Sequence, residues 1–131
     1  MKLIISESKA ALALTAILSL LVIFHLLLLL NILPYKIVWG GRIENKSQLL
    51  KFELISIFMN LIMILVVCIK EKYFRLKVHP KVIQTALWLM FAIFILNTIG
   101  NLLSVNRFEK LVFTPLTLIL SLLSLRLAMS K

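Results

Sequence analysis

Charged residues are absent from four long stretches of this chain. These uncharged runs are 26, 16, 25 and 15 residues long and cover residues 10–35, 54–69, 82–106 and 111–125. About 20 helical residues cross a hydrocarbon core of about 30 Å, so the first and third runs suffice by themselves. The second suffices if it starts near Leu50 and includes Glu53, and the fourth if Lys110 and Arg126 extend outward to the interfaces. The pattern therefore predicts an all-α membrane protein with four transmembrane helices in an antiparallel up-down bundle.

Composition supports the same prediction. Hydrophobic residues make up 62% of the chain and charged residues 15%, whereas soluble domains are about half apolar and about a quarter charged. The runs are too long and too weakly alternating for the strands of a β-barrel. The first run also exceeds the hydrophobic region of a signal peptide, which is about 7–15 residues long. We predict a single transmembrane domain, 1–131, with helices at about 10–31, 49–69, 82–103 and 109–129, joined by short connections.

Basic residues predict the orientation of the helices. Nine of the fifteen Lys and Arg residues fall at the two termini and in the loop between helices 2 and 3, and six fall in the other two loops. The positive-inside rule then predicts an inner (plasma) membrane protein with both termini in the cytoplasm. The net charge of +10 is distributed beside the spans, so we interpret it as an orientation signal. The predicted partners are membrane lipids and a second copy of the chain, with no nucleic acid.

Polar residues within the spans are costly and usually face the bundle interior or a cavity. His25 lies in helix 1, Glu53, Ser56 and Asn60 share one face of helix 2, and Asn97, Gly100 and Asn101 share one face of helix 3. At about 1.5 Å per residue, His25, Glu53 and Asn97 all lie about 22–25 Å from the cytoplasmic side. The other half of the spans offers little comparable beyond Thr85 and Cys68. The spacing therefore predicts a polar pocket in the outer half of the bilayer.

The predicted ligand-binding residues of this pocket have distinct roles. Glu53 is its ionisable centre, His25 its proton partner, and Asn60, Asn97 and Asn101 orient a ligand. Arg42, on the turn made by Gly40 and Gly41, folds over the mouth or pairs with Glu53. The alternative is that these residues only hydrogen-bond between helices and hold the bundle together. We interpret the hydroxyl stripe of helix 4 as packing; its members are Thr114, Thr117, Ser121 and Ser124.

Signatures of catalysis and of cofactor binding are missing. The chain has no Walker loop, G-x-S-x-G or H-E-x-x-H motif. Its two histidines fall on opposite sides of the bilayer, and a single cysteine forms no internal disulfide. We therefore predict no cofactor, no metal and no catalytic residue.

Two resemblances follow from particular residues. The segment Pro34-Tyr-Lys-Ile-Val-Trp-Gly-Gly-Arg42, followed by Phe52-Glu53 and Asn97-Thr-Ile-Gly-Asn101, is similar to small four-helix bacterial membrane proteins of uncharacterised function, which implies the fold and no activity. Size and helix number also resemble the small multidrug resistance exporters, dimers built around a glutamate in their first helix. Here helix 1 contains no carboxylate within its span and Glu53 opens helix 2, a departure from the export mechanism.

Three functional hypotheses remain at this point. The first is a non-enzymatic membrane protein whose polar pocket binds a small molecule or lipid headgroup, with transport as one form of it. The second is a structural or accessory subunit without a ligand. The third, least favoured, is a membrane enzyme that uses Glu53 and His25 as acid and base.

Overall fold

Four helices make up most of the structure, a computed structural model that describes residues 5–30, 46–73, 77–104 and 107–130. The helices are α1 (Glu7–Leu29), α2 (Lys46–Lys70), α3 (Pro80–Leu102) and α4 (Thr114–Ala128), and a π-helical segment, Glu109–Phe113, precedes α4. Helices α1, α2 and α3 are each long and apolar enough to cross a membrane, and so is α4 together with most of the π-helical segment, Lys110–Ala128. The predicted fold class is confirmed, and the chain is a multi-pass membrane protein.

Local sequence explains where the helices begin and end. The hydroxyl of Ser6 accepts a hydrogen bond from the Lys9 backbone N–H at 3.2 Å and caps α1. Pro80 occupies the first turn of α3, where its missing N–H costs nothing. At the end of α2, Lys72 adopts a left-handed conformation with φ of 60°. The Tyr73 N–H then bonds to the Cys68 carbonyl at 2.8 Å, which closes the helix.

Proline explains the irregular start of the fourth span. Pro115 lies in the first turn of α4, inside the region predicted as one continuous helix. It has no N–H to donate to the carbonyl four residues earlier, so the regular ladder is interrupted there. The backbone widens into the π-helical segment Glu109–Phe113 immediately before it.

The order in which the helices pack leaves one side of the bundle open. Helix α1 packs against both α2 and α4, and α3 packs closely along α4. Contacts between α2 and α3 are sparse. The helices therefore follow the order α2, α1, α4, α3 around the bundle, with a gap between the first and the last.

The apolar core fills only one half of the bundle. We call this the terminal half, since Ile5 and Ser130 lie at its end, and the opposite half the distal half. Side chains of this core recur at helical spacing on all four helices; they include Leu14 and Leu18 of α1, Val67 of α2, Leu87 and Met90 of α3, and Leu120 and Leu127 of α4. Many other large apolar side chains face outward, as expected where lipid is the solvent. The distal half holds the polar residues instead.

Candidate functional site

A hydrogen bond between two side chains joins α1 to α2 in the distal half. His25 lies one turn before the end of α1 and Glu53 two turns after the start of α2, so antiparallel packing brings them together. The distance from His25 Nδ1 to Glu53 Oε2 is 2.5 Å. The Glu53 side chain is fully buried and that of His25 is 15% exposed. The carboxyl group is therefore held within the bundle and not hydrated at its surface.

The pairing leaves one nitrogen of the His25 ring available. Nδ1 is engaged by Glu53, and Nε2 bonds to no residue that the structure describes. In the neutral ring, Nδ1–H donates to the carboxylate and Nε2 is an acceptor, whereas in the charged ring Nε2–H is a donor. Because His25 borders the cleft described next, it offers either kind of hydrogen bond there.

A cleft of about 410 Å³ lies in the distal half between α2 and α3. Its back is formed by α1, the end of the π-helical segment and α4, and the rings of Phe24 and Phe113 meet there edge to face with centroids 5.2 Å apart. Apolar side chains line most of it. Its polar lining consists of His25, Ser56, Asn60, Asn97, Asn101 and Thr117. No charged side chain of the described residues lines it apart from the titratable His25, and Glu53 lies behind that ring.

Two of the asparagines in the cleft have no protein partner. The amides of Asn60 and Asn97 bond to no residue in the described part of the chain. Asn60 is only 8% exposed, and Asn97 lies at the exposed mouth of the cleft. A buried amide without a hydrogen bond is costly in an apolar surrounding. Within the described part of the chain, these two amides therefore form no hydrogen bond between helices.

The third asparagine belongs to a different set of contacts. Asn101 Nδ2 donates to Thr117 Oγ1 at 3.3 Å, and Thr98 Oγ1 lies 2.9 Å from the same oxygen. Both threonine hydroxyls also bond to backbone carbonyls one turn earlier in their own helices. These bonds join α3 to α4, which is the role expected for small polar residues between membrane helices.

The structure thus brings together most of the residues predicted to bind a ligand. His25, Asn60, Asn97 and Asn101 all line the cleft, and Glu53 adjoins it through His25. The remaining one, Arg42, lies outside the described residues, as does the whole segment 34–42 with its glycine turn. That these residues bind a ligand stays a prediction.

A second polar cluster lies at the end of the terminal half and was not predicted. Arg126 is 7% exposed; its Nε donates to the Ile5 carbonyl at 2.9 Å and its Nη1 to the Ser130 hydroxyl at 2.5 Å. The prediction that Arg126 extends outward to the interface is wrong, because the guanidinium satisfies backbone and hydroxyl oxygens inside the bundle. Lys70 Nζ donates to the Ser130 carbonyl at 3.0 Å.

Two carboxyl groups complete this terminal cluster. Glu7 of α1 and Glu71, just after α2, face each other within hydrogen-bonding range. The pKa of Glu71 is raised to about 7 by burial, the largest cause, and by the neighbouring Glu7, against the opposite effect of Lys70 and Arg126. From the sequence, Lys70 and Arg126 were placed separately beside the spans, and Glu7 and Glu71 were given no role. The overlooked signal is that acidic and basic residues lie at the ends of α1, α2 and α4 that meet on one side of the bundle.

Neither metal chemistry nor a known family is indicated. Within the described ranges, no three His, Cys, Asp or Glu side chains lie together as a metal site would require. Comparisons of the chain with known protein families, with curated proteins and with solved structures found no match. The resemblance to small four-helix bacterial membrane proteins therefore stays a prediction.

Proposed function

We propose that the protein binds the polar part of a small molecule or lipid in the cleft between α2 and α3. The observation that carries this proposal is the amide of Asn60, which is 8% exposed, faces the cleft and has no partner among the described residues. Nearby, Asn97 offers a second free amide. Polar groups placed this way in a membrane protein are typical of a binding site.

The cleft has the size and chemistry of a ligand site. Its volume of about 410 Å³ falls in the range of about 300–1,000 Å³ that is common for small-molecule pockets. Each asparagine amide donates and accepts, and His25 adds one more donor or acceptor. Glu53 fixes the orientation of the His25 ring through Nδ1. The arrangement supports recognition by hydrogen bonding of a head group placed among apolar walls.

Retention of a molecule during purification tests this proposal. Wild-type protein, an Asn60→Ala/Asn97→Ala double variant and a Ser124→Ala control are purified identically, and bound molecules are extracted and quantified by mass spectrometry. Ser124 is a suitable control because its buried hydroxyl also lacks a partner among the described residues but lies outside the cleft. We expect one molecule to be retained by the wild type and the control and lost from the double variant. Identical profiles for all three proteins would contradict the proposal.

A structural role is the second candidate, favoured by the hydrogen bonds of Thr98 and Asn101 with Thr117. If the whole polar layer only holds helices together, Asn60→Ala and Thr117→Val should lower stability alike. Our proposal expects only the Thr117 variant to do so. Unfolding of both variants in the same detergent separates the two candidates.

The count of basic residues supports an orientation for the cleft. We propose that both termini are cytoplasmic and that the protein lies in the plasma membrane, which places the distal half toward the outer leaflet. A reporter fused after Lys131 that is active only in the cytoplasm tests this. Activity of a reporter that requires export would contradict it.

A further inference from the structure

We infer that the ligand is an amphipathic molecule with an uncharged head group, and that it enters sideways from the bilayer through the gap between α2 and α3. This inference rests on the proposed function and adds to it a ligand class and a route.

The route follows from which walls of the cleft are closed. The back is sealed where Phe24 of α1 meets Phe113. The two side walls, α2 and α3, make few contacts with each other. At Gly100 on the α3 wall, a Cβ would meet nothing within 4 Å. The mouth of the cleft is therefore the space between α2 and α3.

The depth of the mouth identifies what lies outside it. The residues at the mouth are exposed and fall within the second and third candidate spans; they are Ile55 and Met59 of α2, and Leu96, Asn97 and Gly100 of α3. Asn97 lies five residues, about 7.5 Å, inside the end of α3 at Leu102. Asn60 lies about 15 Å inside the span that begins at Leu50. At these depths the mouth faces hydrocarbon, where only a molecule with an apolar part is concentrated.

The two ends of such a molecule match different parts of the cleft. The apolar side chains of Ile55, Met59 and Leu96 flank the mouth, where a chain continuing into the bilayer would pass. Further in, Asn60 presents its free amide and His25 its free nitrogen. A head group that donates and accepts hydrogen bonds would satisfy both.

The charged residues around the cleft indicate which kind of head group it can bind. Among the described residues no Lys or Arg side chain lines the cleft. A phosphate placed there would be desolvated without a lysine or arginine, and the Glu53 carboxyl behind His25 would oppose it. A hydroxyl, amide or carbonyl group carries no such cost. The cleft therefore fits an uncharged head.

Fluorescence quenching by brominated lipid tests the ligand class. Leu96→Trp places a reporter at the mouth, and Ile99→Trp places one less than a turn further along α3, at a position that is also exposed but does not line the cleft. Trp39 and Trp88 are replaced by Phe in both proteins. Nanodiscs of phosphatidylcholine receive a small fraction of either dibrominated diacylglycerol or phosphatidic acid with the same chains.

The expected result is stronger quenching of the Leu96→Trp reporter by diacylglycerol, with no excess at Ile99→Trp. Adding Asn60→Ala and Asn97→Ala should abolish the excess. Stronger quenching by phosphatidic acid would overturn the uncharged head group. Equal quenching of both reporters by both lipids would overturn the amphipathic ligand.

Thiol labelling tests the route separately. In a Cys68→Ala background, Asn97→Cys is exposed in nanodiscs to a charged, water-soluble methanethiosulfonate, with Arg107→Cys as the reactive control because Arg107 is exposed beyond the end of α3. We expect the Arg107 variant to react and the Asn97 variant not to react. Equal reaction would mean that the cleft opens to water, which overturns the route but leaves the proposed function intact. Failure of the retention experiment would instead remove the proposed function itself.

Discussion

The hydrogen bond between His25 and Glu53 makes a quantitative prediction about stability. The perturbations are His25→Phe, which keeps an aromatic ring without the nitrogens, and Glu53→Met, which keeps the length of the side chain without the charge. The two side chains meet at 2.5 Å and Glu53 is fully buried. Either single variant removes the hydrogen bond between the two side chains but keeps one of its polar groups, whereas the double variant replaces both by apolar groups.

The expected change in the free energy of unfolding follows from this difference between the single variants and the double variant. Removing one member of a buried hydrogen-bonded pair costs about 1–3 kcal/mol, while replacing both members by apolar groups is often close to neutral. We therefore expect each single variant to lower the free energy of unfolding by about 2 kcal/mol, and the double variant by less than the two together. The coupling energy should lie in the range of about 1–3 kcal/mol, above the average of about 0.6 kcal/mol for hydrogen bonds between membrane helices.

Reversible unfolding of the four proteins in the same mixed micelles measures this coupling. The pair Ser19→Ala and Thr85→Ala, on outward-facing positions of α1 and α3, provides a control cycle whose coupling should be close to zero. Additive effects of His25→Phe and Glu53→Met would refute the reasoning, because they would mean that the two groups do not depend on each other.

Further predictions concern the helix contacts, a helix end and the terminal cluster. Thr117→Val should lower the free energy of unfolding by about 1–2 kcal/mol, since it removes two bonds between α3 and α4, whereas Asn60→Leu should leave ligand-free protein unchanged or more stable in the same unfolding assay. Lys72→Gly should stabilise the protein by about 0.5–1 kcal/mol, because glycine adopts the left-handed conformation at the end of α2 without strain; a decrease in melting temperature would contradict this. The pKa of Glu71 is about 7 in the folded protein, against an ordinary value of 4.5. Between these two values the folded protein binds more protons than the unfolded chain, so the free energy of unfolding should fall as the pH rises from about 5 to about 8. Glu71→Gln should flatten this dependence, and an unchanged pH profile would show that the carboxyl facing Glu7 does not titrate there.

Sequence patterns predicted the helices because hydrophobic length is nearly sufficient to define a membrane span. The absence of charge over 15 or more residues placed all four of them. The predicted ends of α1, α2 and α3 lie within three residues of the observed ends. Ser6 caps α1 and Pro80 occupies the first turn of α3, and both effects depend only on local sequence. The π-helical segment before Pro115 was missed, because its geometry depends on how the neighbouring helices hold both sides of the interruption.

The residues of the site could be predicted from the sequence, but their hydrogen-bond partners could not. Helical spacing and depth selected His25, Glu53 and the asparagines. No periodicity distinguishes Asn101, which bonds to Thr117, from Asn97, which has no bond to the described residues, because the difference depends on which face α4 covers. The burial of Arg126 was also unpredictable from the sequence. A charged side chain at the end of a span can extend either to the interface or into the bundle, and only the packing of the helices determines that this one extends inward.

A structure of the protein in lipid nanodiscs tests the central claim most directly, through the surroundings of two side-chain amides. We predict non-protein density between α2 and α3 within hydrogen-bonding distance of Asn60 and Asn97, continuing outward past Leu96 into the bilayer. A structure in which α2 packs against α3 over this region, with both amides bonded to protein groups and no such density, would contradict the account.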